Sequence, residues 1–105
     1  MLTFNLKKKW FDLIKQGKKT HEYRTYKDFY IKRIINFLLN KYNSKYICFS
    51  LGYASKKVKD RRLYAKVKDI RIISGKNTDL KCNCKVFDIE FKLVKKYWQI
   101  NNNLL

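Results

Sequence analysis

The 105-residue chain contains no proline, three glycines, one histidine, and eight aspartates and glutamates against 26 lysines and arginines. With so little proline and glycine there is no flexible linker to separate domains. No repeat is visible either, so a single domain is expected at this length. The three cysteines are an odd number, which does not suit a secreted disulfide framework. Cys82-Asn83-Cys84 supplies two thiols where structural zinc needs four ligands. Cys48, Cys82 and Cys84 therefore read as ordinary reduced cysteines, and no metal or other cofactor is expected. No apolar run approaches the length of a membrane span. Leu2–Leu6 is too short and polar for the core of a leader peptide, and Lys7-Lys8-Lys9 follows it rather than preceding it. A cytoplasmic location, reducing and away from membranes, is the expectation.

What the chain does have is charge and aromatic surface. The formal net charge is +18, and 16% of residues are aromatic. Hydrophobic residues at 46% are enough for one compact core, and so much aromatic content is not a signature of disorder. A field of this size on a small domain favours polyanionic partners: nucleic acid first, an acidic protein or nucleoprotein complex second. The skew toward Lys, Asn, Ile, Tyr and Phe matches AT-rich coding, so single lysines carry little weight alone.

Periodicity gives the order of elements. Leu2, Phe4 and Leu6 alternate with polar residues as in a short strand. From Lys7 the period becomes helical, with Leu6, Trp10, Leu13 and Gly17 on one stripe widened by Phe11 and Ile14, for about three turns. Gly17 can take positive φ and end that helix. Next comes a short strand from about Lys19 to Thr25, with Thr20, Glu22 and Arg24 on one face and Lys19, His21 and Tyr23 on the other. A second helix follows, its apolar face made of Tyr30, Ile31, Ile34, Ile35, Leu38 and Tyr42, with Phe37 and Leu39 at the margins. Thr25 or Asp28 is suited to cap it. Ile47, Phe49 and Leu51 then alternate. Leu63, Ala65 and Val67 alternate too, but Ile70 and Ile72 are out of phase, which places a bulge near Lys68-Asp69. Phe87, Ile89, Phe91 and Leu93 form the clearest strand. Two early helices followed by strands without helices exclude a regular parallel α/β repeat. They indicate a small α+β domain with a curled, mostly antiparallel sheet. It is expected to span residues 1–98, with a frayed Asn-rich tail over 99–105.

The run Gly17-x-Lys19-x-x-Glu22-x-Arg24, after a strand and a helix, resembles the signature of the ASCH domain, a member of the PUA-like superfamily. The likeness extends to Leu13-Ile14 before the glycine, to Tyr26-Lys27-Asp28-Phe29-Tyr30-x-Lys32-Arg33, and to the late strands. It implies a small PUA-like β-barrel of about five strands with two flanking helices, and a cleft lined by Lys19, Glu22 and Arg24. It also implies association with RNA, and for some members hydrolysis of RNA or of modified nucleosides.

In that setting Lys19 and Arg24 suit a phosphate or a base carbonyl, and Glu22 suits an amino group. Lys19 and Glu22 are also the candidates for catalysis. The bland alternative is a structural Glu22–Arg24 ion pair. In the amidohydrolase members that the chain resembles, a threonine stands where this chain has Glu22. Their distant glutamate has no counterpart in Ser74–Lys85, so that chemistry is not expected. His21, by strand parity, faces away from Glu22. A wider basic and aromatic surface is expected from Tyr26, Lys32, Arg33, Lys56, Lys57, Arg61 and Arg62, since tyrosines beside cations suit stacked bases and phosphates. The leading expectation is recognition of RNA or a nucleotide. A hydrolase on the same site and a binder of an acidic protein are the alternatives. If about six phosphates are neutralised, log K for RNA should fall against log salt with a slope of roughly −5. Titrations at several salt concentrations measure it, and a flat response excludes nucleic acid as the partner.

Overall fold

The computed structural model describes residues 2–40, 45–52 and 61–94. Five strands and two helices follow one another as β1 (Leu2–Leu6), α1 (Lys8–Lys15), β2 (His21–Thr25), α2 (Asp28–Leu39), β3 (Tyr46–Leu51), β4 (Arg62–Ser74) and β5 (Lys85–Val94). The strands form one sheet in the order β1-β3-β4-β5-β2. β1 lies parallel to β3, and every other pairing is antiparallel. The sheet curls into a half-barrel, so the small α+β domain expected from the periodicity is what forms. The β4–β5 register slips between Val67 and Asp69. That bulge is what returns Ile70 to phase with the inner face.

The concave face holds the core. Phe4, Ile47, Phe49, Ala65, Val67, Ile89 and Phe91 come from the strands, Phe11 and Ile14 from α1, and Ile34 and Phe37 from α2. The helices are rotated from the expected faces. In α1, only two turns long, Phe11 and Ile14 are buried while Trp10 stays half-exposed. In α2, Ile34 and Phe37 are buried while Ile35 and Leu38 face outward at 45% and 59% exposure. Arg33, one turn before Phe37, donates from Nη2 to the Thr3 carbonyl at 2.9 Å, a bond that ties this side of α2 to β1. No side chain caps α2; its N-cap is Lys27, with Asp28 in the first turn where the dipole favours an anion. β3 is buried on both faces, because Cys48 and Ser50 are covered as well as Ile47 and Phe49. The guanidinium of Arg62 lies against the Cys48 sulfur at 3.6 Å.

Two connections make tight turns. After α1, Gly17 has φ +76°. Its N–H donates to the Ile14 carbonyl and that of Lys18 to the Leu13 carbonyl. This is a Schellman ending, and it turns the chain directly into β2. Between β4 and β5, the Gly75 N–H donates to the Cys84 carbonyl, and the Gly75 carbonyl accepts from Thr78 and Cys82. Cys82 and Cys84 are joined in a disulfide within this turn, where the sequence alone indicated reduced thiols. Cys48 is free and buried.

A methyl group at Gly17 meets nothing within 4 Å, so Gly17→Ala should lose only the left-handed backbone penalty, about 1 kcal/mol. A Cβ at Gly75 falls 2.5 Å from the Cys82 sulfur and 2.9 Å from a Val86 methyl. Gly75→Ala should therefore cost more, about 2–3 kcal/mol. Urea unfolding of both variants checks the order.

Candidate functional site

A cleft of about 320 Å³ opens where the two ends of the sheet approach each other. Its lining includes Asn5 from β1, Lys7 just after it, Trp10 from α1, Glu22, Tyr23 and Arg24 from β2, Tyr30 from α2, and Asp79 and Leu80 from the β4–β5 connection. Four segments from the first 30 residues and one distant connection meet here because β1 and β2 are the two edge strands and α1 and α2 each connect one of them onward.

Glu22 and Arg24 at the floor belong to an alternating row of charges that continues through Lys19, which is not itself a lining residue, to Asp79. Arg24 Nη2 donates to Glu22 Oε2 at 2.8 Å, and Glu22 Oε1 lies 3.6 Å from the Lys19 ammonium. Lys19 in turn bonds the carboxylate of Asp79. Glu22 also accepts from the Tyr23 N–H. The Glu22 and Lys19 side chains are 7% and 9% exposed. Lys19 is opposite in strand parity to Glu22, yet it reaches the same row, because β2 starts only at His21 and Lys19 still belongs to the turn after Gly17. The row as a whole carries no net charge: two cations face two anions.

Arg24 reaches furthest. Nη1 donates to the Tyr30 hydroxyl at 3.1 Å, and Nη2 donates to the Asn5 carbonyl at 3.0 Å as well as to Glu22. Its plane lies 4.9 Å from the Phe4 ring centre. Its buried Nε has no acceptor among the described residues. Burial works against its charge, but Glu22 and the Tyr30 bond outweigh this and raise its pKa.

Trp10 and Tyr30 are the aromatic residues of the walls. The Lys19 ammonium sits 5.2 Å from the Trp10 ring centre and 5.0 Å from that of Tyr23, which stacks beside His21 on the other face of β2. The Tyr23 phenol is pushed above its usual value by burial first, and then by Asp88 and Asp79. It stays a neutral hydroxyl donor throughout the physiological range.

Lys19, Glu22 and Arg24 are thus brought together, and the structural ion pair of Glu22 with Arg24 is present too. The other candidates lie elsewhere. Tyr26 is 41% exposed beside the cleft, its ring tilted onto Phe87. Lys32 points outward from α2. Arg33 bonds β1. Arg61 reaches the Leu51 carbonyl at 3.4 Å, and Arg62 packs on Cys48. Lys56 and Lys57 lie outside the described residues. His21 is on the opposite face of β2, where its Nδ1 is 2.7 Å from Asp88 Oδ1, and Arg71 donates to the same carboxylate. Asp79 and Leu80 carried no local signal in the sequence, and Trp10 read as core.

Since Glu22 and Arg24 are both largely buried, removing one strands the other. Arg24→Met should destabilise the fold by about 3–5 kcal/mol, and Glu22→Leu added to it should restore part of that loss. A thermodynamic cycle in denaturant tests this, and simple additivity would contradict it.

A comparison with curated proteins returned no match. Among the described residues no helix is long and apolar enough to cross a membrane. A family model, that of the ASCH domain, matches residues 4–101, nearly the whole sequence. The half-barrel with two helices is consistent with that match, and the chain belongs to the ASCH domain family.

Proposed function

We propose that this ASCH domain binds single-stranded RNA and takes one unpaired base into the cleft. The observation that carries this reading is the combination of a charge-balanced floor with aromatic walls. A phosphate placed on Lys19 or Arg24 meets Glu22 and Asp79, so the floor is poorly suited to a bare anion. A base is neutral. Its amino groups match the spare lone pairs of the Glu22 carboxylate, and its carbonyls match donors on Arg24. Trp10 at the wall offers a flat surface for the ring, as in single-strand binding generally. The phosphates stay outside, drawn by Lys7 at the mouth and by the +18 field. RNA as the nucleic acid rests on the family and on the basic charge.

Fluorescence anisotropy with a labelled single-stranded RNA tests the proposal. Trp10→Ala should weaken binding about 10-fold or more, in line with 1–3 kcal/mol for one stacked base. Glu22→Gln should weaken it while changing which base is preferred, because the amide replaces an acceptor by a donor. Asp79→Asn should act in the opposite sense on charged ligands, improving a nucleoside monophosphate relative to its nucleoside. Unchanged affinity in both Trp10→Ala and Glu22→Gln would place the RNA elsewhere on the surface.

A further inference from the structure

A second cavity lies on the far side of the β4–β5 connection. This groove of about 490 Å³ is lined by Ile72, Ser74, Lys76, Asn83 and Lys85 among others. Its chemistry is the reverse of the cleft's. Two exposed ammonium groups, a hydroxyl and a side-chain amide border it, and no acid is among its lining residues. Such a surface suits a phosphodiester rather than a base.

The two cavities are joined by one segment of chain. Residues 75–84 rise from the ends of β4 and β5. The middle of this connection presents Asp79 and Leu80 to the cleft, while Lys76 at its start and Lys85, the first residue of β5, border the groove. Tyr26 stands between them. It follows Thr25, which lines the cleft, and its N–H donates to the Lys85 carbonyl at 3.1 Å. Its ring is 41% exposed, and Ile72 at 52% and Leu80 at 40% are exposed with it. A single strand leaving the cleft in this direction meets an aromatic face and then two lysines.

We propose that the groove is a phosphate subsite for the same RNA strand, with Tyr26 as the platform for the base next to the one in the cleft. This rests on the proposed function and extends it: the site spans at least two nucleotides. The acid-free groove supplies the anion contact that the charge-balanced cleft lacks.

The test uses the full chain and two charge-matched variants. One is Lys76→Glu with Lys85→Glu. The other is Lys66→Glu with Lys92→Glu, an exposed register pair at the other end of the β4–β5 ladder. Each is titrated with a labelled single-stranded RNA of eight nucleotides and with a single nucleoside. The groove variant should weaken oligonucleotide binding at least 10-fold beyond the control, and its log–log salt slope should be shallower by about 1.4 for two lost single-strand contacts. Its affinity for the nucleoside should be unchanged. Equal weakening in both variants would overturn the subsite, because only the overall field would then matter. No weakening in either would overturn it too. If the groove variant is selectively impaired while Trp10→Ala is not, the phosphate subsite stands and the base-in-cleft reading fails.

Discussion

The guanidinium of Arg24 holds the two ends of this sheet together. β1 and β2 are its edges, and edge strands leave backbone groups in need of partners. On β1 the Leu6 carbonyl accepts from Gly52 on the β3 side. Strand alternation therefore turns the carbonyls of Thr3 and Asn5 outward. Arg33 satisfies one and Arg24 the other. Arg24 reaches Asn5 from β2, so a strand pairing that the half-barrel does not make is replaced by a side-chain bridge. Such a buried cation needs a counter-charge, and Glu22 supplies it from two residues earlier on the same face. The gap that the bridge leaves between the edges is the cleft. The same ion pair thus bridges the two edges and sits in the cleft lining, where its charges are largely buried and mutually neutralised.

That neutrality separates two roles that a net charge of +18 would otherwise merge. The acids are few and are placed where they matter. Glu22 and Asp79 neutralise the cleft floor, while Asp88 and Asp69 gather around Arg71 and His21 on the opposite face of the sheet. Most lysines face solvent. On the proposed reading, long-range attraction for a polyanion comes from the outer surface, whereas discrimination falls to a small polar cleft with aromatic walls. The β4–β5 connection touches both regions, presenting an acid inward, with a lysine at its start and another just past its end.

Much of this was legible from residue order. Strand parity placed Glu22 and Arg24 together and His21 apart, and the phase slip after Val67 located the bulge. The glycine at position 17 marked the helix stop, which the Schellman bonds explain. The failures have physical causes. A helical stripe in α2 predicted Ile35 and Leu38 inside, but the helix packs through Ile34 and Phe37, with Arg33 bonded to β1 beside them. Trp10 fell on the expected core stripe of α1, yet stands at the cleft because Phe11 and Ile14 take the interior. Asp79 lies 60 residues from Lys19 and enters the site only through the β4–β5 turn, a meeting that local patterns do not encode. The basic and aromatic residues of the expected rim have divided duties, with Arg33 and Arg62 bonded or packed against the sheet and Tyr26 left exposed.

The most direct test of a base seated between Trp10 and the Glu22–Arg24 pair is nitrogen-detected NMR during titration with a short single-stranded RNA. The indole N–H of Trp10 and the Nε–H of Arg24 report from the wall and the floor of the cleft. Saturable shifts of both, at the same midpoint as overall binding, are what the structure predicts. Shifts confined to lysines and backbone amides of the outer surface, with these two signals unmoved at saturation, would contradict it.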